Sequence, residues 1–236
     1  MMEKPIIQIP RSAKLHRIGL RCLACKKNFA WRTRQLLLNI GTVERKQHGK
    51  ELTFGEFIVA GHVICPHCGA EDRYELSGWQ SIIVALALLW MRWIPPGPQN
   101  WLQAVKMGAG DGRMMHPFEL RISYEQRVAA QPRKADLRLH FANTLRTIGW
   151  IDEAIVQYQQ TLALAPRETE ALINLAALLT QRDENEAALA HLRTLAAIKP
   201  KNKTQREMVA IAQEILAGDL RLDELEIGNP QLRRRS

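Results

Sequence analysis

Four cysteines stand in two tight pairs, Cys22-Leu-Ala-Cys25 and Cys65-Pro-His-Cys68, and the chain has no others. The thiolate is the form of sulfur that attacks disulfides and binds metals. Each Cys-x-x-Cys therefore admits two chemistries, thiol–disulfide exchange or half of a tetrahedral metal site. Redox chemistry would use one motif and leave the second without a role, and no βαβ pattern surrounds either pair. Two pairs that use every cysteine point to a four-thiolate Zn2+ site on Cys22, Cys25, Cys65 and Cys68. Four thiolates close the coordination shell, whereas catalytic zinc keeps an open position. The expected role of the metal is structural. His62 and His67 lie close in sequence, but a closed site leaves no position for them. No catalytic residue is expected.

The elements that must present these sulfurs are short strands. Leu15 to Trp31 suits a strand, a knuckle and a second strand. Arg34 to Ile40 fits helix or strand, Lys46 to Lys50 a turn, and Leu52 to Ile64 is rich in β-forming residues. Arg73 to Leu76 closes the module. With the first pair set in Leu20–Phe29 and the second in Val63–Ala70, this stretch resembles a zinc ribbon, in which each pair lies on a hairpin knuckle. Gly69 suits the left-handed turn after the second pair. Lys26 replaces that glycine after the first. The long gap from Cys25 to Cys65 requires a long loop or extra strands.

Net charge is +9, which allows nucleic acid, anionic membrane or an acidic protein as partner. The surplus is uneven. Residues 1–75 hold 13 Lys/Arg against 7 Asp/Glu, whereas residues 132–236 hold 15 against 14. The N-terminal stretch Met1–Pro10 lacks the apolar core of an export signal, so a cytoplasmic location is expected, where paired cysteines serve metals more than disulfides. The apolar run Ile82–Met91 is too short to span a bilayer and ends at Pro95-Pro96-Gly97-Pro98. A buried helix is expected, with a membrane-surface helix as the competing reading because Trp79, Trp90, Trp93 and Trp101 cluster there.

The second half carries a period. Pro132, Pro166 and Pro200 are spaced by 34 and 34. Ala154, Tyr158 and Pro166 recur as Ala188, Leu192 and Pro200, and Phe141-Ala142 with Leu145 recurs as Leu175-Ala176 with Leu179. Small residues let helices approach closely, and the larger apolar ones fill the seam. On these positions the chain resembles a tetratricopeptide repeat (TPR) protein; a generic antiparallel helical bundle is the competing reading. The resemblance implies a mainly α fold of helical-hairpin repeats stacked as an α-solenoid, joined to the small β-rich N-terminal module. It also implies a groove for a partner's peptide or helix, lined by first-helix residues Leu139, His140, Asn143, Arg146, Ile173, Asn174, Ala177 and Gln181. Asn143 and Asn174 match the two asparagines of TPR clamps that grip a terminal carboxylate. Leu139, Thr204 and Met208 stand where such clamps carry cations.

The expected organisation is a basic arm over 1–14, a zinc-ribbon-like domain over 15–78, a Trp-rich helix and linker over 79–116, and a TPR domain over 117–217. The last holds a half unit, full units at 132–165 and 166–199, and a cap helix at 203–217. A basic tail follows over 218–236. The function expected first is a non-enzymatic scaffold or adaptor that binds a protein partner through the TPR surface, with the zinc ribbon as a second docking module. No small-molecule substrate is implied. An alternative is nucleic-acid binding by the basic ribbon, with Lys26, Lys27, Arg32, Arg34 and Trp31 as candidate contacts. A further alternative is a peripheral membrane or large-complex subunit that docks through residues 79–101.

Overall fold

The computed structural model describes residues 15–39, 57–79, 102–105 and 117–225. The expected basic arm, the turn at 46–50, the linker, the basic tail and the Trp-rich helix beyond Trp79 lie outside the described residues. The described residues fall into two compact units. One holds the strands together with residues 117–127 and 148–150; the other holds residues 128–147 and 151–225.

In the first unit six short strands form two sheets. Strands β1 (His16–Cys22), β2 (Asn28–Thr33) and β5 (Tyr74–Leu76) make an antiparallel sheet in the order β2-β1-β5. Strands β3 (Leu36–Asn39), β4 (Phe57–Val59) and β6 (Leu102–Val105) make a mixed sheet in the order β4-β3-β6. The alternation of β1 is explicit: Ile18, Leu20 and Cys22 are buried, while Arg17 and Arg21 are exposed. Successive strand residues face opposite sides, so one face of this sheet is core. Ile18, Leu20, Tyr74 and Leu76 from the first sheet meet Leu36, Phe57 and Val59 from the second, with Val63, and Phe29 and Trp31 pack against them. Burying each such side chain contributes roughly 1.5–3 kcal/mol. The Tyr74 hydroxyl accepts from the Val59 N–H at 2.9 Å, which ties β5 to β4.

A Trp-rich helix and linker were expected over 79–116. The structure has a strand there instead, since Leu102–Val105 pairs in parallel with Leu36–Asn39. Four residues are too few to stabilise a helix by themselves, and the edge of β3 opposite β4 offers a parallel ladder for the segment to join.

Six helices follow among the described residues: α1 (Pro117–Ala130), α2 (Ala135–Thr147), α3 (Ile151–Leu164), α4 (Thr169–Gln181), α5 (Asn185–Ala196) and α6 (Lys203–Ala217). Pro132, Pro166 and Pro200 each lie three residues before the start of α2, α4 and α6. A proline there bars continuation of the preceding helix and leaves the next free to begin. Local chemistry fixes the last helix. The Asn202 side chain accepts from the Gln205 N–H at 2.8 Å, and Gln205 accepts in return from the Lys201 N–H at 2.8 Å. Gly218 ends it at φ 84°, the left-handed geometry that glycine adopts most easily. In the second unit α2 packs on α3, α3 on α4, α4 on α5 and α5 on α6.

The turn Ile148–Trp150 belongs to the first unit. The Gly61 N–H donates to the Ile148 carbonyl at 2.7 Å. Gly149 sits at φ +82°, and a Cβ there would stand 2.7 Å from the Gly61 nitrogen. Gly218 also has a positive φ, but open space surrounds it. Gly218→Ala is therefore expected to cost only the left-handed strain, about 1–2 kcal/mol. Gly149→Ala is expected to cost a further ~1–3 kcal/mol, because backbone must move to admit the methyl. Urea unfolding of the two variants checks the difference.

Candidate metal centre

Cys22 ends β1, and Cys25 lies in the turn to β2. Cys65 and Cys68 lie in a second turn, flanked by the bridge between Ile64 and Glu71. The two turns share their backbone bonds. The N–H of Lys26 donates to the Cys22 carbonyl and that of Gly69 to the Cys65 carbonyl, both at 2.9 Å. Cys22 N–H donates to Lys27 and Cys65 N–H to Ala70, again at 2.9 Å. The residue after each pair is left-handed, Lys26 at φ 62° and Gly69 at φ 70°. The missing glycine of the first pair therefore does not change the turn; Lys26 adopts the same conformation at the expense of strain.

The four sulfurs lie within 4.8 Å of one another. Cys22 Sγ is 3.7 Å from Cys68 Sγ, and Cys25 Sγ is 3.8 Å from Cys65 Sγ. A disulfide needs about 2.05 Å, and all four are free thiols. A tetrahedron with metal–sulfur bonds of ~2.3 Å has sulfur–sulfur edges of about 3.8 Å. The cluster thus has the size a four-coordinate metal requires. The His67 N–H points at Cys65 Sγ at 3.4 Å, the kind of donor that lowers the charge cost of a thiolate.

Cys22 and Cys68 are shifted in opposite directions. Burial raises Cys22, but the N–H groups of Cys25 and Ala24 and the thiols of Cys65 and Cys68 bring it down to about 7. At Cys68 the Ala70 N–H lowers the value, but burial and the other three sulfurs outweigh it, and the thiol is pushed up to about 11. The two shifts oppose each other because the first thiolate to form resists the last. A bound cation removes that repulsion, since it lets all four deprotonate.

Neither histidine joins the cluster. His62 Nδ1 is 2.7 Å from Asp72 Oδ2, and its ring stacks on Trp150 with centroids 4.4 Å apart. Asp72 is buried, and its other oxygen accepts from the Val63 N–H at 2.8 Å. His67 Nε2 reaches the Asn28 carbonyl at 3.3 Å. The sequence reading did not single out Asp72 or Trp150 as a pair with His62. Residues so far apart in the chain leave no local signal of their contact.

The basic candidates separate by face. Lys26, Lys27, Arg32 and Arg34 are exposed, whereas Trp31 packs against the core. The helical candidates separate by depth. Leu139, Arg146, Ile173, Asn174 and Ala177 are buried, Asn143 is half-buried, and only His140 and Gln181 are exposed. The two asparagines belong to an internal network around Tyr158. Its hydroxyl donates to Asn143 Oδ1 at 2.6 Å and accepts from Arg146 Nε at 3.1 Å and Asn174 Nδ2 at 3.1 Å. Asn143 Nδ2 donates to Glu170 at 2.8 Å. Arg146 Nη2 is buried without a partner. Of the apolar segment 79–101, only Trp79 is described, and it is 80% exposed. No helix among the described residues is long and apolar enough to cross a membrane.

No protein-family model matches this chain, and no curated protein matches it in sequence.

Two outcomes are expected. Strong chelation of the metal-loaded protein should melt the strand unit and leave the helical signal in far-UV circular dichroism; sharp, dispersed β-sheet NMR peaks from a metal-free sample would contradict this. The second concerns alkali. Burial pushes the Tyr158 phenol up to about 12, although Arg146 beside it pulls the other way. An unfolded phenol ionises near ~10. With the folded value raised, the full stability holds below pH ~10 and is lost as pH rises toward about 12, a fall of up to about 3 kcal/mol. Urea midpoints across this range should drop for the wild type and drop less for Tyr158→Phe.

Proposed function

We propose that the chain is a non-enzymatic adaptor whose helical unit is a TPR-type repeat that holds a protein partner, with a zinc-stapled β module as a second docking element. The observation that carries this reading is the spacing of the helices. Helices α1, α3 and α5 start at Pro117, Ile151 and Asn185, and α2, α4 and α6 start at Ala135, Thr169 and Lys203, each interval being 34 residues. Burial follows the same interval. Tyr124, Tyr158 and Leu192 are all buried, as are Leu120, Ala154 and Ala188. Helix pairs built on one interval cannot bury their apolar faces alone and are stable as neighbours of one another.

Zinc is the metal this set of donors favours, because four thiolates are soft ligands in tetrahedral array. Such a site offers substrate no open position, which supports a structural role and a non-enzymatic protein. The partner surface is assigned to the exposed face of the first helices, with His140 on α2 and Gln181 on α4 in reach of solvent. Arg146, Asn143 and Asn174 brace that face from behind through Tyr158.

Affinity capture from the native host tests the reading. A protein retained by the wild type and lost from a folded His140→Glu/Gln181→Glu variant supports it. Identical sets retained by both proteins would remove the helical face as the docking surface.

A further inference from the structure

The outer face of the β2-β1-β5 sheet carries a charge arrangement that the fold itself does not need. The register sets Arg17 directly opposite Arg32, Gly19 opposite Ala30 and Arg21 opposite Asn28. Arg17, Arg21, Arg32, Asn28 and Ala30 are exposed. Like charges directly opposed on neighbouring strands destabilise a sheet. Among the described residues neither Arg17 nor Arg32 has an ion-pair partner, and Arg21 pairs with Glu75 at 3.4 Å between exposed groups, its Nε also donating to the Lys26 carbonyl at 3.3 Å. Folding would be served better by an opposite charge at either position.

We infer that this face is a contact surface for the phosphodiester backbone of a nucleic acid, with Arg17, Arg32 and Arg21 as its contacts. The arrangement fits that polyanion in three ways. Arg17 and Arg21 lie on one strand face about 13 Å apart, a line of cations matched to a line of phosphates. Gly19 and Ala30 leave the strip between them flat, so a backbone can lie close. The guanidinium fork binds phosphate oxygens in pairs. Among the described residues of β1 and β2, the side chains on this face are Arg17, Gly19, Arg21, Asn28, Ala30 and Arg32, none of them the large apolar kind that a membrane surface would use for insertion.

The structure also fixes the mode of binding. Trp31 and Phe29 are on the core side, so neither of these rings is offered for base stacking from this face. Recognition is of phosphates and not of bases, and it follows salt. This differs from the set that the sequence suggests: Trp31 leaves it, and Arg17 and Arg21 enter.

The test uses the full, metal-loaded chain and fluorescence anisotropy with short labelled DNA duplexes of two unrelated sequences. Both duplexes should bind alike, with affinity falling steeply between about 50 and 200 mM salt. Arg17→Glu should weaken binding about tenfold and reduce the salt slope by ~1 or more. The same substitution pairs Glu with Arg32 across the strands, so the thermal midpoint should hold or rise. A side chain that mattered only for folding would move binding and midpoint together. Arg32→Glu, the reciprocal reversal, should repeat the result. Arg206→Glu, exposed on α6 with the same change in charge, should leave affinity nearly unchanged. The proposal is overturned by absence of binding at low salt, by a tenfold preference between the two duplexes, or by equal losses in Arg17→Glu and Arg206→Glu. Arg17-dependent binding to phosphatidylserine vesicles with none to DNA would overturn it as well.

Discussion

The convergence of four sulfurs on one point is the constraint on which the strand unit depends. Cys22 and Cys25 belong to the β1–β2 hairpin, and Cys65 and Cys68 to the turn that precedes β5. Their sulfurs nevertheless meet within 4.8 Å. The core behind them is small, with strands of three to seven residues. Apparent zinc-binding energies of about 10–16 kcal/mol exceed what such a core supplies. Both turns accept the geometry through the same backbone bonds. Lys26 tolerates a conformation that glycine would take without strain, which indicates how strongly the site imposes its shape.

The helical unit is held by different means. Its packing comes from small residues at close approach, Ala142, Ala154, Ala176 and Ala188, all fully buried. A polar centre within it is the Tyr158 hydroxyl, bonded to Asn143, Arg146 and Asn174. A buried charge without full pairing is expensive, and the unsatisfied Nη2 of Arg146 shows that this network is not fully closed. These residues sit where a sequence reading places partner contacts. In the structure they first serve each other.

How much of this was legible in the chain varies with the range of the interaction. The cysteine pairs and the proline spacing could be read because each is a local signal: a knuckle turn sets its two cysteines with two residues between them, and a helix hairpin recurs along the chain. The strands on either side of the first knuckle, the helix from Pro117 and the final helix at Lys203–Ala217 all follow from such signals. The strand at Leu102–Val105 does not, because nothing inside Leu-Gln-Ala-Val distinguishes a strand from a helical turn. Its conformation is decided by Leu36–Asn39, far away in sequence.

The sequence alone determined which four residues could hold a metal ion and where the helices break, since both depend on spacing along the backbone. Tertiary structure alone decided the faces. Trp31 and Arg32 are neighbours in the chain, yet pairing with Ile18 and Arg17 sends one to the core and the other to solvent. A strand alternates sides at every residue, so a shift of one position would exchange them. Only the partner strand fixes that register, and with it the basic face that the protein presents.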